Sequence, residues 1–405
     1  MVDQRHEVIL VALEDRFSLS RIPLMLHRSG CRVTVLGDPL APITASRYVE
    51  RMIPCGTDPA SGARALRKLM ETYRGTLPWV IFGDELALQA GILCRDQSWL
   101  KQVFPVDPWT AADVIFRKAS FMKAAAAAGI PIPPMRVCAS HADALAAAEQ
   151  LEYPLFFKRD VDCAGAGVVQ VLRPADVAPT YETLSDTGPV VVQQTIHGRV
   201  GKTNTLYHRG RLMCSTSAYA RRTWPGAFGP SCIREYFCDD RLEHIAADIG
   251  ALTGFHGLCG FDWIQDQKTG QFIVIEFNGR AIATYHLGKY VGVSYERAVG
   301  DFLEDRLTVQ RPRIIGKTRP IIYMFPQDVR RCITDLDLIG LGKWIFGTIR
   351  TDTPWADANV IVFFFTSFVQ LGYKRVRRFV RRRWRGVKVP QPPADAAAET
   401  TRVMA

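Results

Sequence analysis

The stretch Leu258–Arg280 constrains the fold of this chain more than any other part of its sequence. Two apolar runs flank the polar turn Gln267–Gln271, and this pattern predicts a β-hairpin. Because side chains repeat every two residues along a strand, we expect Glu276, Asn278 and Arg280 on one face of the second strand.

Symmetry of this hairpin about Thr269 would place Asp262 directly opposite Glu276. Two carboxylates at so short a distance repel each other unless a proton or a cation lies between them. Mg²⁺ prefers carboxylate and amide oxygens and usually takes substrate phosphates as further ligands. The hairpin therefore predicts a metal site of Asp262, Glu276 and Asn278, beside which Arg280 is suited to clamp an acyl phosphate or a carboxylate. The alternative is an edge hairpin with a solvated polar face.

The composition limits the class of protein. A chain of 405 residues is long enough for two or three domains, and its hydrophobic fraction of 48% is typical of globular proteins. The ten cysteines are scattered without a CxxC pair, as expected of reduced thiols in a cytosol. The N-terminal apolar run is too short for a signal peptide, and no segment reaches the roughly 20 apolar residues of a membrane span. We therefore predict a cytoplasmic location.

The first hundred residues alternate between predicted strands and helices, which is typical of a parallel, Rossmann-like α/β domain. The strands are Glu7–Leu13, Arg32–Leu36 and Trp79–Phe82, and the helices are Leu19–Arg28 and Ala63–Tyr73. No G-x-G-x-x-G motif follows the first strand, so a dinucleotide site there is disfavoured. Asp84 and Glu85 follow the third strand, where they either contact a ligand or begin a helix.

Two lysines precede the hairpin in positions suited to phosphates. Lys118 lies in a predicted helix, and Lys158 lies inside an apolar strand, where lysine is rarely buried without a partner. The small-residue loop Asp162–Gly167 follows and is either a phosphate-binding nest or an ordinary turn. The apolar strand Pro189–Thr195 is either a core strand or a hinge whose backbone pairs with adenine.

This order of features, from the two lysines to the Asp…Glu-x-Asn hairpin, resembles the ATP-grasp family over about residues 113 to 305. The resemblance implies a mixed α/β and α+β chain in four parts. The resemblance accounts for the first two, an N-terminal domain at 1–112 and an ATP-grasp domain at 113–308 with subdomains 113–190 and 191–308. The sequence pattern alone predicts the other two, a C-terminal region with apolar and basic segments at 309–389 and a disordered tail at 390–405.

The resemblance also implies roles for individual residues. Those expected to bind ATP are Lys118 and Lys158 at the phosphates, Gly165 and Gly167 in the covering loop, and Gln193, Gln194 and Ile196 at the adenine. Asp262, Glu276 and Asn278 are expected to hold Mg²⁺ or Mn²⁺, with Glu276 bridging two ions. Arg280 completes an E-x-N-x-R motif similar to that of the carbamoyl-phosphate synthetase and biotin carboxylase branch, where the arginine faces the acyl phosphate.

The implied activity is that of an ADP-forming ligase, which activates a small carboxylate as an acyl phosphate and joins it to an amine. One alternative is an enzyme that makes carboxyphosphate or carbamoyl phosphate. The other is a nucleotide-binding module with little turnover, suggested because Arg199–Lys202 stands where the family often has an acid for the ribose.

The C-terminal sequence indicates a further partner. The apolar run Val360–Phe368 precedes Lys374–Arg385, which is strongly basic and includes Phe379, Val380 and Trp384. This pattern predicts an interfacial helix on anionic lipid, at the inner face of a membrane. Nucleic acid is a weaker alternative, and a solvated end of a core helix remains a second one.

Overall fold

The computed structural model of the protein describes residues 6–161, 167–226, 229–314 and 318–367. The chain forms two compact units, Met1–Val360 and Ile361–Ala405. The second is described only over residues 361–367, which are helical. Gly165, the basic segment Lys374–Arg385 and the tail 390–405 lie outside the described residues. In the described ranges, none of the helices has the length and hydropathy needed to cross a bilayer.

The N-terminal part of the first unit is a parallel α/β layer. Its elements are β1 (His6–Ala12), α1 (Ile22–Arg28), β2 (Cys31–Gly37), β3 (Arg51–Pro54), α2 (Pro59–Met70), β4 (Trp79–Phe82), α3 (Glu85–Ile92), α4 (Leu100–Val103) and α5 (Ala112–Phe116). The strands pair in parallel in the order β3-β2-β1-β4. The three predicted strands are confirmed, and β1 is almost wholly buried because helices cover both faces of a parallel sheet.

A second, four-stranded sheet follows. Its elements are α6 (Lys118–Ala127), β5 (Met135–Cys138), α7 (His141–Gln150), β6 (Leu155–Arg159), β7 (Val168–Val171), α8 (Val177–Leu184) and β8 (Val190–Gln194). All pairs are antiparallel, in the order β5-β8-β6-β7. Alternate residues such as Leu155 and Phe157 pack against α7 and α8, so the residues between them face the other way.

The largest sheet has six antiparallel strands. The remaining elements are β9 (Gly198–His208), β10 (Arg211–Thr223), β11 (Ser231–Phe237), α9 (Asp240–Thr253), β12 (Gly257–Asp266), β13 (Phe272–Asn278), α10 (Tyr295–Leu303), β14 (Ile321–Tyr323), α11 (Gln327–Thr334) and α12 (Leu338–Ile345). The order is β13-β12-β9-β10-β11-β14. Trp263 is fully buried on the face that packs on α9, so its neighbour Asp262 lies on the opposite face.

Two details differ from the sequence prediction. The helix predicted around Lys118 is broken at Arg117, whose backbone is extended, so α6 begins at Lys118 itself. The strand β11 was missed because its sequence, Ser-Cys-Ile-Arg-Glu-Tyr-Phe, places Arg234 and Glu235 side by side in place of a clear apolar alternation. It nonetheless pairs with β14, which lies beyond residue 308.

Candidate functional site

One row of side chains crosses five strands of the six-stranded sheet. Glu276 lies opposite Asp262, as the hairpin predicted, and Asp262 lies opposite Lys202 on β9. The row continues through Ala218 to Tyr236 on β11. Directly opposed residues point to the same face of a sheet, so the two carboxylates share their face with a lysine that the sequence analysis missed. The sequence signal that could have identified it is the presence of a lysine, Lys202, within the stretch that forms β9.

Two ammonium groups balance the two carboxylates. Lys202 Nζ lies 3.1 Å from Asp262 Oδ1, and Lys118 Nζ lies 3.6 Å from Glu276 Oε1. Burial raises the pKa of Asp262, and Lys202 opposes that rise. In the described ranges, no three His, Cys, Asp or Glu side chains group together as a metal site. The opposed carboxylates fit a divalent cation, but a third protein ligand would have to be an amide.

Asn278 is that amide, and it is buried beside Asp262. Its Nδ2 donates to Asp262 Oδ1 at 3.0 Å, while its Oδ1 accepts from Arg280 Nη2 at 3.1 Å. The structure therefore brings all three predicted metal ligands together. Asn278 presents its nitrogen to Asp262, so ligation of a cation by its oxygen requires rotation of the amide group.

Lys158 reaches this cluster from the four-stranded sheet. Its Nζ donates to the carbonyl oxygen of Ile275 at 3.3 Å. Ile275 lies where the pairing of β12 with β13 shifts by one residue, and such a bulge leaves one backbone group outside the regular ladder. Burial lowers the pKa of Lys158 to about 8, and the nearby Glu276 carboxylate opposes that shift. Lys158 and Glu276 thus face the same cleft between the two sheets.

Lys118 is positioned by Asp160, a buried residue that directly follows β6. The Asp160 carboxylate accepts hydrogen bonds from the backbone N–H of Ala119 at 2.8 Å and from Arg117 Nη1 at 2.9 Å. Its backbone carbonyl accepts from the N–H of Lys118 at 3.1 Å. Asp160 therefore satisfies the first N–H groups of α6, a helix without a cap of its own. The sequence analysis missed it because the two segments are more than 40 residues apart.

The predicted hinge lies at the end of β8. Gln193 is buried, and its Nε2 has no hydrogen-bond partner among the described residues. It is paired with Phe156 and lies two residues from the partner of Lys158, so Gln193 and Lys158 share one face of the four-stranded sheet. Gln194 instead donates from Nε2 to Glu152 at 3.2 Å. Ile196 follows the strand and is partly exposed.

The predicted glycine loop is described only at its end. Gly167 accepts a hydrogen bond from the N–H of Arg159 at 2.8 Å, immediately before β7. This bond closes the base of the loop next to Lys158. Gly165 lies among the residues that the structure does not describe.

Arg280 is held by an acid from the N-terminal layer. Its Nε lies 2.6 Å from Glu85 Oε1, and Glu85 Oε2 accepts from Arg16 Nη2 at 2.7 Å. Burial acts to raise the pKa of Glu85, but Arg280 and Arg16 outweigh burial and lower it. Of the two acids after β4, Asp84 begins α3 and also accepts from the N–H of Leu13 at 2.7 Å. Asp84 is therefore a helix cap, whereas Glu85 belongs to the site.

A cleft opens beside Arg280. It is lined by α3, by residues from α5 to α6 and by the end of β13, including Glu85, Lys118 and Glu276. Gly279 makes this packing feasible, because a Cβ there would lie 2.8 Å from the backbone oxygen of Ile115. The cleft thus joins the N-terminal layer to the carboxylate row.

A second polar group shares the face of the carboxylate row. Thr284 Oγ1 accepts from Asn204 Nδ2 and from Arg234 Nη1, both at 3.0 Å. Three buried atoms around it have no hydrogen-bond partner among the described residues: Asn204 Oδ1, Tyr236 Oη and His286 Nε2. Burial lowers the pKa of His286 to about 3, so its imidazole is neutral at pH 7. Buried polar atoms are normally satisfied, so a water or another polar molecule is expected beside these atoms.

Comparison with protein-family models and with curated proteins gave no match. Solved structures gave several. The L-amino acid ligase from Bacillus licheniformis is 17% identical over 74% of each chain, with a TM-score of 0.57. The N5-carboxyaminoimidazole synthetase from Staphylococcus aureus, complexed with ADP, is 15% identical over 78% of this chain and 81% of that one, with a TM-score of 0.58.

A third similar structure is the biotin carboxylase domain of the Hydrogenobacter thermophilus 2-oxoglutarate carboxylase, in complex with MgADP, ADP and bicarbonate. It is 15% identical over 78% of this chain and 74% of that one, with a TM-score of 0.63. Each of the three similarities covers about three quarters of this chain. The chain therefore has the ATP-grasp fold, the fold of the ATP-grasp superfamily.

Proposed function

We propose that this protein is an ATP-dependent ligase, which activates a small carboxylate as an acyl phosphate, transfers the acyl group to an amine and releases ADP and phosphate. The observation that carries the proposal is the pairing of Asp262 with Glu276, two opposed carboxylates surrounded by Lys202, Lys118 and Arg280. Phosphoryl transfer depends on positioned cations more than on a side-chain nucleophile, and this site supplies them.

We place ATP between the four-stranded and six-stranded sheets. Lys158 and Lys118 would contact its phosphates, and Gly165 and Gly167 would cover them. The unpartnered Gln193 Nε2 supports an adenine contact at the hinge, because a purine nitrogen can accept from it. In this proposal Ile196 lines the adenine with its backbone, and Gln194 shapes the hinge through Glu152.

Asp262, Glu276 and Asn278 would hold Mg²⁺, or Mn²⁺ in its place. When bound, the ion would neutralise phosphate charge as it develops. The residues of the chain supply the rest: Lys202 and Lys118 lie against the two carboxylates, and both would shift towards phosphate oxygens when a divalent cation takes over their present partners. The two carboxylates and the neighbouring amide fit this ligand set.

Arg280 would bind the acyl phosphate end, because it lies between the metal site and the open cleft. Glu85 positions its guanidinium through Nε, and Asn278 does so through Nη2. The remaining Nη1 makes a long contact of 3.4 Å to a backbone carbonyl, so it can be exchanged for an oxygen of the substrate. A planar fork held at two corners suits a carboxylate better than an ammonium would.

We assign the acceptor amine to the polar group around Thr284. Arg234 supplies a positive charge for an acidic part of that substrate, and Asn204 Oδ1 and His286 Nε2 supply acceptors for N–H groups. The neutral His286 does not repel a protonated amine. The L-amino acid ligase among the similar structures supports an acceptor of this kind, with both an amino group and an acid.

The test is release of ADP from ATP and Mg²⁺ across a panel of acids, each with and without added amines. Glu276→Gln should abolish ADP release at nearly unchanged melting temperature, since it removes one metal-binding charge and keeps the side-chain volume. Full activity of that variant would refute the metal assignment. Tight ATP binding without ADP release for any combination of acid and amine would favour a nucleotide-binding module instead.

A second candidate is the formation of carboxyphosphate from bicarbonate. It is favoured by the E-x-N-x-R sequence that ends at Arg280 and by the biotin carboxylase domain among the similar structures. ADP release that depends on bicarbonate, and not on another acid, would favour carboxyphosphate formation over the joining of another acid to an amine.

We further propose a cytoplasmic enzyme that contacts an anionic membrane surface through Lys374–Arg385. Eight of these twelve residues are basic and none is acidic. The charges would act within about a Debye length, so rising salt should weaken this contact.

A further inference from the structure

Three arginines surround a single carboxylate at the surface of the six-stranded sheet. The carboxylate belongs to Glu235 on β11, and its Oε1 lies 3.2 Å from Arg319 Nη1. Its Oε2 lies 3.4 Å from Arg199 Nη2 and 3.5 Å from Arg221 Nη1. We call these four residues the Glu235 cluster. One carboxylate can balance only one of the three guanidinium groups, so the cluster carries a surplus of positive charge.

Two arginines of the Glu235 cluster are also held by aromatic rings. Tyr219 and Phe237 are stacked, with ring centroids 4.2 Å apart. Arg199 lies over the Tyr219 ring, 3.6 Å from its centroid. Arg319 lies over the Phe237 ring, 5.4 Å from its centroid. Because each guanidinium group is attracted both by a ring and by the shared carboxylate, little further ordering is needed when a ligand binds.

The guanidinium groups of the Glu235 cluster are accessible from solvent. The three arginine side chains are 48–51% exposed, whereas the side chain of Glu235 is 12% exposed and lies beneath them. A guanidinium group has five N–H donors. Over the part of the chain that the structure describes, every ion pair of these three arginines goes to Glu235. Most of their donors are therefore available to a ligand from solvent.

The Glu235 cluster and the proposed active site lie on opposite faces of the sheet. Tyr236, the next residue along β11, belongs to the row that includes Asp262 and Lys202. Neighbouring residues of a strand point to opposite faces, so Glu235 points away from that row. Its aromatic neighbours Tyr219 and Phe237 pack with α9. A ligand of this cluster would therefore bind outside the ATP-binding cleft, and the inference does not depend on the ligase chemistry.

We propose that the Glu235 cluster binds a phosphate group with two negative charges, either inorganic phosphate or the phosphate monoester of a small molecule. Charge balance favours this ligand, because one carboxylate and one dianion together match three guanidinium groups. Geometry favours it as well, since the planar fork of an arginine binds phosphate oxygens in pairs. A phosphate monoester loses its second proton at about pH 6, so the dianion predominates at neutral pH. A phosphodiester carries a single charge and would leave part of the surplus unbalanced.

The test is calorimetric titration of the full-length protein, at low salt and about pH 7, with inorganic phosphate, methyl phosphate and dimethyl phosphate. We expect saturable binding of the dianions and binding of the diester that is weaker by about tenfold or more. Arg221→Gln should weaken dianion binding by about tenfold or more, because it removes one charged hydrogen-bonding partner. The matched control is Arg173→Gln, at an exposed arginine that pairs with one acid, Asp176 at 3.1 Å, and it should bind as the parent does. Binding of inorganic phosphate without methyl phosphate would identify free phosphate as the ligand, and binding of both would identify a monoester.

Four results would overturn the proposal. The first is the absence of saturable dianion binding by the parent. The second is binding that is lost in Lys158→Met but kept in Arg221→Gln, which would place the phosphate in the proposed ATP-binding cleft. The third is equal weakening in Arg221→Gln and Arg173→Gln, which would reduce the contact to the net charge of the chain. The fourth is a single-stranded oligonucleotide that binds more tightly than methyl phosphate and is lost in Arg221→Gln, which would make nucleic acid the ligand.

The melting temperature of Arg221→Gln, measured alongside, shows whether the fold is retained. If this variant melts at a lower temperature than the parent, Arg221→Lys repeats the comparison with the charge kept. It should still bind the dianions more weakly than the parent, because an ammonium group cannot form the planar fork. Binding by a folded Arg221→Lys that equals that of the parent would refute the assigned geometry.

Discussion

Glu85 links the N-terminal layer to the proposed acyl phosphate site, and its removal tests how Arg280 is positioned. One carboxylate binds two guanidinium groups, Arg280 at 2.6 Å and Arg16 at 2.7 Å. Glu85→Gln keeps the size of the side chain and one carbonyl oxygen, but it removes the charge that the two arginines share. The arginines then repel each other, and Arg280 loses one of the two contacts that orient its fork.

The magnitude follows from the burial of the three side chains, which are only 12–22% exposed. A hydrogen bond to a charged group in such a position contributes about 1.5–3 kcal/mol. If the whole of this free energy stabilises the transition state, its loss lowers kcat by roughly ten- to a hundredfold. The KM for ATP should change little, since the charged partners of Glu85 are Arg280 and Arg16.

The assay is ADP release at saturating acid and amine, with ATP varied. Glu14→Gln is the matched control, because Glu14 also binds Arg16, at 2.6 Å, but does not contact Arg280. We expect the control to retain most of its turnover. If both variants turn over equally, Arg280 does not depend on Glu85 and the positioning role is refuted.

Three further outcomes are expected. Because the pKa of Lys158 is lowered to about 8, its ammonium loses its proton as pH rises through that value. ATP affinity, measured by calorimetry, should therefore weaken above about pH 8 in the parent but not in Lys158→Arg. If Lys158→Met showed the same pH profile as the parent, the assignment of this pH dependence to Lys158 would be wrong. Arg280→Lys should bind ATP normally but lose more than about tenfold in turnover, since an ammonium cannot form a bidentate pair; lost ATP affinity at normal turnover would reverse the assignment. Arg234→Gln should raise the KM for the amine alone, and an effect confined to ATP would remove Thr284 and its neighbours from the acceptor site.

Local patterns in the sequence were sufficient to predict the central hairpin. Alternation with a period of two places Glu276 and Asn278 on one face, and the polar turn fixes which residue of β12 lies opposite. The pairing of Asp262 with Glu276 is the result. The parallel layer could be predicted for a similar reason, since buried parallel strands are continuous apolar runs.

Contacts between distant segments could not be predicted in this way. Lys202 reaches Asp262 only because β9 pairs with β12, and Asp160 caps α6 only because β6 ends beside it. Glu85 was a candidate, but its partner Arg280 lies almost 200 residues further along the chain. The exposure of α12 is a different case, because its apolar sequence is what a buried helix would also have.

The bonds made by Asp160 have a consequence for recombination between related chains. Asp160 joins the start of α6 to the end of β6. The segment around Lys118 and the strand that carries Lys158 therefore need to come from the same parent in a chimera. A chimera with a crossover between them would leave a buried carboxylate and the first N–H groups of a helix unsatisfied unless both parents supply an acid at this position. Crossovers placed before Arg117 or after Gly167 avoid that conflict and keep both lysines in one parental context.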